Sequence, residues 1–254
     1  MQFLEDGEIS IAIDLDQGAR ITSLLFRDME ITLASRGSLV NWGWYSMAPW
    51  AGRIREGLIK DVEDLSYQLP VVLDPPHALH GFGVMYGWQD VGKGIARLEL
   101  PYPYEGASVV QQIEVLDNAI RWSLEYFSGE ITLPAWLGIH PWFAREIGLG
   151  SSAEIDFHAL EMLKRGSDGL PTGEIIPPHQ GPFDDAFTKV QGTPRVVWED
   201  ALSVTIESEA PWWVVYNEDS EGVCIEPQTA PPDAANLGIS GDHYLEALFV
   251  FEAE

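Results

Sequence analysis

The chain carries a single cysteine, Cys224, in 254 residues. No intrachain disulfide framework can form, so the fold is held without covalent staples and a reducing compartment is expected. Basic residues are scarce as well: 14 Lys and Arg stand against 40 Asp and Glu, a net charge of −26. Such a surface repels nucleic acid and anionic membranes. It also disfavours strongly anionic ligands, unless a local arginine cluster overcomes the screened long-range field. No uncharged apolar run is long enough to span a bilayer, and the opening "MQFLEDGEISIAIDLDQG" lacks the basic start and apolar core of a secretory signal. A cytoplasmic protein with no nucleic-acid or membrane partner is therefore expected. Helical periodicity is missing too, since no stretch of ten or more residues repeats apolar side chains at helical spacing. Without linkers, low-complexity blocks or internal repeats, one domain over residues 1–254 is expected.

What is present is period two. In "EISIAIDL" Ile9, Ile11, Ile13 and Leu15 alternate with polar or small partners, as in a half-buried strand. "QQIEVLDNAIRWSLEYF" reads as a hairpin turning at Asp117-Asn118, with Ile120, Trp122, Leu124 and Tyr126 alternating out of the turn. "LSVTIES", "WWVVYN" and "YLEALFVFE" add strands, and 24 Gly with 17 Pro supply the turns. The fold class is all-β, a large antiparallel sandwich or barrel. Two long connections, "DLSYQLPVVLDPPHALHGFG" and "EMLKRGSDGLPTGEIIPPHQGPFDD", read as loops on that scaffold, where binding residues concentrate.

Four stretches set a polar group among aromatics and turn formers: "MAPWAGRI" (47–54), "HALHGFG" (77–83), "GIHPWF" (138–143) and "IEPQTAPPDAAN" (225–236). A fifth, "FDDAF" (183–187), is weaker. His77, His80, His140 and Glu226 raise the possibility of a cupin-like metal centre. Cupins place two ligands as H-x-H on a strand, whereas His77 and His80 form H-x-x-H beside Pro75-Pro76 and Gly81, so no metal is expected. His158, His179 and His243 read as structural. His140 precedes a proline and is followed by Trp142 and Phe143. That composition suits a sugar site, where rings cover the apolar faces of a pyranose and polar groups bind its hydroxyls; it equally suits a core aromatic corner with a capped histidine. Glu226 shares a strand face with Cys224 and is expected at the end of its strand, where "PQTAPP" turns the chain away. A carboxylate there must be either well satisfied or employed, while Cys224 reads as small apolar packing behind it.

Taken together and in this order, the four motifs resemble the aldose 1-epimerase (mutarotase) family, in the bacterial variant with "PWAGRI" and "EPQT-x-PP". The resemblance runs from "GARI" (18–21) towards the C-terminus. It implies a galactose mutarotase-like two-sheet β-sandwich with an open cleft for one monosaccharide and no cofactor. It implies His140 as catalytic acid and Glu226 as catalytic base, with Arg53 and His80 binding sugar hydroxyls and Trp142 beside them. An aspartate of the D-x-x-F pattern also binds the sugar; Asp184 fits, with Asp185 adjoining. Many members have Asn where this chain has Gly52, which loosens the expectation at Arg53. The implied reaction interconverts the α and β anomers of a free aldose such as glucose or galactose. A hexose-6-phosphate epimerase, which would need further cations such as Arg20, Arg27, Arg36 or Arg55, and a non-catalytic sugar-binding protein are the alternatives.

Overall fold

The structure is a computed structural model that describes residues 1–253. Two antiparallel sheets dominate it. The larger has twelve strands, and its main path runs Gln2–Asp6, Ile9–Asp14, Arg20–Phe26, Trp44–Met47, Gly138–Pro141, Gly222–Gln228, Trp212–Tyr216, Asp184–Val190, Ala159–Arg165 and Pro171–Ile176. The second has eight: Gln89–Gly92, Ile95–Glu99, Ser108–Leu116, Ala119–Phe127, Tyr244–Ala253, Leu202–Glu207, Arg195–Trp198 and Glu154–Asp156. Among the described residues, helix is confined to one four-residue turn, Ala234–Leu237, and two 3-10 turns.

The alternating segments lie where their period demands. Ile9, Ile11 and Ile13 are buried while Ser10 and Ala12 are half-buried, and the strand pairs on both sides. The Asp117-Asn118 hairpin forms with Leu116 opposite Ala119, burying Ile120, Trp122, Leu124 and Tyr126. The two inner faces meet through large rings. Phe26 stacks on Phe251 at 5.7 Å between centroids, and Trp44, backed at 4.7 Å by Phe143 of its own sheet, packs against Phe249 at 4.9 Å. Each such ring removes far more apolar area from water than an aliphatic side chain, so these contacts clamp sheet to sheet.

Two expectations need correction. Residues 161–185 are not one long loop: Ala159–Arg165 and Pro171–Ile176 form a hairpin at the edge of the large sheet. A register shift between Leu163 and Arg165 breaks the alternation there, and the outer strand is mostly exposed, so neither strand shows the inward period. The strand bearing Glu226 also does not stop at Pro227. It continues to Gln228, with Pro227 opposite Trp213, and all seven residues are buried because both faces are covered.

Candidate active site

The motifs that lie far apart in sequence converge at the middle of the large sheet. His140 lies on Gly138–Pro141, opposite Tyr45 on one neighbouring strand. Its other neighbour is Gly222–Gln228, joined at Gly138 and Gln228 and carrying Glu226. Asp184 stands two strands further along, opposite Tyr216 of the intervening strand Trp212–Tyr216. Arg53 and His80 arrive from a separate two-stranded ribbon in which Arg53 pairs with Leu79, and the His80 N–H donates to the Gly52 carbonyl at 3.0 Å. Local backbone explains the glycines. His80 and Gly81 both have left-handed φ (57° and 73°), and a Cβ on Gly81 would sit 2.1 Å from the Ala48 carbonyl oxygen. Gly52 has φ 70°, and a Cβ there would meet Pro232 at 2.6 Å, so in this chain the second proline of "APP" occupies the space that Asn would need.

These residues line a cleft of about 150 Å³ together with Asn41, Trp142, Tyr216 and Gln228. On its floor His140 Nε2 lies 3.3 Å from Glu226 Oε1, the two side chains only 6% and 3% exposed. Gln228 Nε2 donates to Glu226 Oε2 at 3.0 Å. His140 is fixed by rings: Tyr45 stacks on it at 4.7 Å, Trp142 lies nearly parallel at 5.4 Å, and His80 abuts it edge-on at 5.1 Å. Behind Tyr45 the buried Arg20 guanidinium stacks at 4.7 Å and donates to the Trp42 and Leu39 carbonyls.

Burial, and then the Asp184 charge, push the Glu226 carboxyl well above the usual carboxylate range, while the Gln228 amide and Arg53 pull the other way. Burial, and then His80 and Arg20, hold His140 well below the usual imidazole range. Both directions say that neither charge is favoured on this floor. Burial there favours the neutral form of each group over the ion pair that exposed side chains would form. His80 is kept neutral as well, held down to about 3 by burial with Arg53 and Arg20.

The cations at the rim are committed. Arg53 Nε is 2.6 Å from Asp74 and its Nη1 3.4 Å from Asp184. Arg165 reaches Asp184 at 3.2 Å, Asp185 at 3.3 Å and Glu218 at 3.0 Å. Asp184 lines the cleft; Asp185 lies behind it, between Arg165 and His179. Of the other arginines considered, Arg27 pairs with Glu8, Arg36 with Asp219 and Glu221, and Arg55 with Asp168 and Asp233. Trp142 lines the cleft, but His140 packs on its plane, Tyr216 abuts it and its Nε1 donates to Val40, so it is a wall more than a stacking platform. His77 is outside the cleft, accepting from the Glu56 N–H at 3.1 Å. Sequence reasoning missed Gln228, Tyr45 and Arg165. Gln228 stood inside a quoted motif, whereas nothing local marked the other two.

A wider depression of about 740 Å³ lies over the second sheet, lined by Glu125, Glu207, Glu209, Asp242 and Glu246. Size does not make it the better candidate, because it has no buried acid–base pair. The sequence profile of the aldose 1-epimerase family matches residues 4–247. The chain belongs to the aldose 1-epimerase family. Its fold agrees with that of solved members. A candidate aldose 1-epimerase from Escherichia coli K12 superposes with a TM-score of 0.84 at 19% identity, over 100% of this chain and 99% of the other. A galactose mutarotase-like protein from Clostridium acetobutylicum gives 0.78 at 18%, over 99% and 94%. The uncharacterized protein YihR of Escherichia coli K12 is 25% identical over 226 residues, 76% of this chain and 71% of that one. Among the described residues, no helix is long and apolar enough to cross a membrane.

Proposed function

We propose that this family member is an aldose 1-epimerase acting on a free, uncharged aldose, with Glu226 and His140 as its acid–base pair. The observation that carries this reading is the 3.3 Å approach of His140 Nε2 to Glu226 Oε1 on the floor of the cleft. Mutarotation removes the proton from O1 and places one on the ring oxygen. Those two oxygens are borne by the same carbon, so adjacent proton-transfer atoms suit them better than groups on opposite sides of the ring. A pair holding one proton gives it to the ring oxygen while accepting another from O1. The C1–O bond of the ring breaks, the aldehyde rotates about C1–C2, and closure on its other face runs the transfers in reverse. The pair ends with the single proton it began with, so no cofactor is called for. Passage of the shared proton from Glu226 to His140 as the sugar binds gives the roles that the family resemblance implies, Glu226 as base and His140 as acid in the opening step, and closure exchanges them.

Arg53, His80 and Asp184 would bind the hydroxyls, His80 as a neutral imidazole. Trp142 and Tyr45 would hold the His140 ring in plane. Since both rim arginines are already held by carboxylates, the reading favours a neutral sugar over its phosphate. Polarimetry on freshly dissolved α-D-glucose and α-D-galactose tests it. Equilibration faster than the buffer rate is expected, and a protein that binds these sugars without accelerating it would be a non-catalytic binder.

A further inference from the structure

Beneath the floor of the cleft lies a third donor that sugar chemistry does not use. Cys224 precedes Glu226 by two residues on the same strand, fully buried. The His140 ring nitrogen, a Glu226 oxygen and the Cys224 sulfur all lie within 4.8 Å of one another. We propose that these three side chains form a binding site for a borderline-soft divalent cation of the zinc class, and that such an ion inhibits the protein by occupying its acid–base pair. The inhibition half rests on the function proposed above; the site itself does not.

The donor set is imidazole, carboxylate and thiolate, which selects zinc-like ions over the hard, oxygen-seeking magnesium and calcium. The spacing fits too. Bonds of about 2.0–2.3 Å in a tetrahedral site put ligand atoms roughly 3.3–3.6 Å apart. The His140–Glu226 contact is already 3.3 Å, and the sulfur needs to close by about 1.5 Å at most. Two of the donors are pre-aimed: Gln228 holds the second Glu226 oxygen, and Tyr45 and Trp142 fix the imidazole plane. The cleft above offers a fourth position to water or a sugar hydroxyl.

Charge also balances. Binding expels the thiol proton and the single proton of the pair, so a dication meets one thiolate and one carboxylate and the buried assembly stays neutral. Dedicated zinc histidines donate their second nitrogen to a carboxylate or carbonyl, whereas His140 Nδ1 is buried without a partner. That difference fits an ion that comes and goes rather than a resident one.

Cobalt(II) titration of the metal-free wild-type protein is the direct test. One equivalent should produce a near-ultraviolet thiolate-to-cobalt band with the visible bands of four-coordinate cobalt, and zinc should displace it. Because Cys224 is the sole cysteine, the thiolate band has one source. Cys224→Ser and Cys224→Ala should lose that band and need at least about tenfold more zinc to slow mutarotation. Absence of the band in wild type, or equal zinc sensitivity in wild type and variants, overturns the proposal. If the variants fail to fold, the wild-type band still decides. A protein that shows the band yet, metal-free, mutarotates no aldose keeps the site and loses the proposed function; an active protein without the band does the reverse.

Discussion

In the proposed reaction each of Glu226 and His140 is useful only through the other. Replacing either by a side chain that does not titrate, Glu226→Gln or His140→Asn, removes a proton carrier but keeps a polar group on the buried floor. The fold should survive, and kcat should fall to less than about a tenth of wild type, given that a positioned acid or base is worth roughly 10²–10⁴-fold. Polarimetry with circular dichroism as the folding control decides it. The pH profile follows from the shared proton. Its acid limb belongs to adding a second proton, which charges a His140 held well below the ordinary imidazole range. Its basic limb belongs to removing the one proton, which charges a Glu226 held well above the ordinary carboxylate range. A plateau through neutral pH is expected. Gln228 controls the second limb: its amide favours the carboxylate, so Gln228→Leu should raise the Glu226 pKa further and move the basic limb to higher pH. A merely structural role would lower kcat with the limb unmoved.

Short elements, more than the long strands, place Arg53 and His80 at the cleft. His80 reaches the cleft because Ala78–Leu79 pairs with Arg53–Ile54 and the chain then turns through two left-handed residues. Gly81→Ala would drive a Cβ into the Ala48 carbonyl from a backbone conformation that Ala tolerates poorly. A loss of about 2 kcal/mol or more is expected, seen as a melting temperature lower by roughly 4–8 °C. Such elements also mark how far the sequence could be read. Ile9, Ile11 and Ile13, or Trp122, Leu124 and Tyr126, announce their strands because one face of each is buried. The strand carrying Glu226 is buried on both faces and contains Pro227, so alternation was silent on where it ends. Glu226, His140, His80 and Arg53 could be picked out through their motifs, and Asp184 only as one of two adjoining candidates. Arg165 had no motif: its bonds to Asp184 and Asp185 span a hairpin whose outer strand is mostly solvent-exposed.

Across the whole molecule the charge of −26 is not evenly neutralised near the cleft, where Arg53 and Arg165 face Asp74, Asp184, Asp185 and Glu218. A phosphate would have to displace carboxylates from both arginines while meeting a repulsive outer field. The kcat/KM for glucose or galactose should therefore exceed that for the 6-phosphate at low salt. The gap should narrow only partly as salt screens the outer field, because the close pairs remain. A preference for the phosphate at both salt levels would reverse this assignment. The sheet order has a kinetic side as well. The central strands, Trp44–Met47, Gly138–Pro141 and Gly222–Gln228, come from early, middle and late in the chain. The proposed proton transfer thus depends on pairings separated by long stretches of sequence, the kind that close slowly, whereas the local hairpins of the second sheet can form without them. On refolding from denaturant, the far-ultraviolet signal should recover first and mutarotation later, with no active form assembled from either half of the chain. Catalysis would then time the closing of the middle of the sheet, an event that an average over all strands blurs.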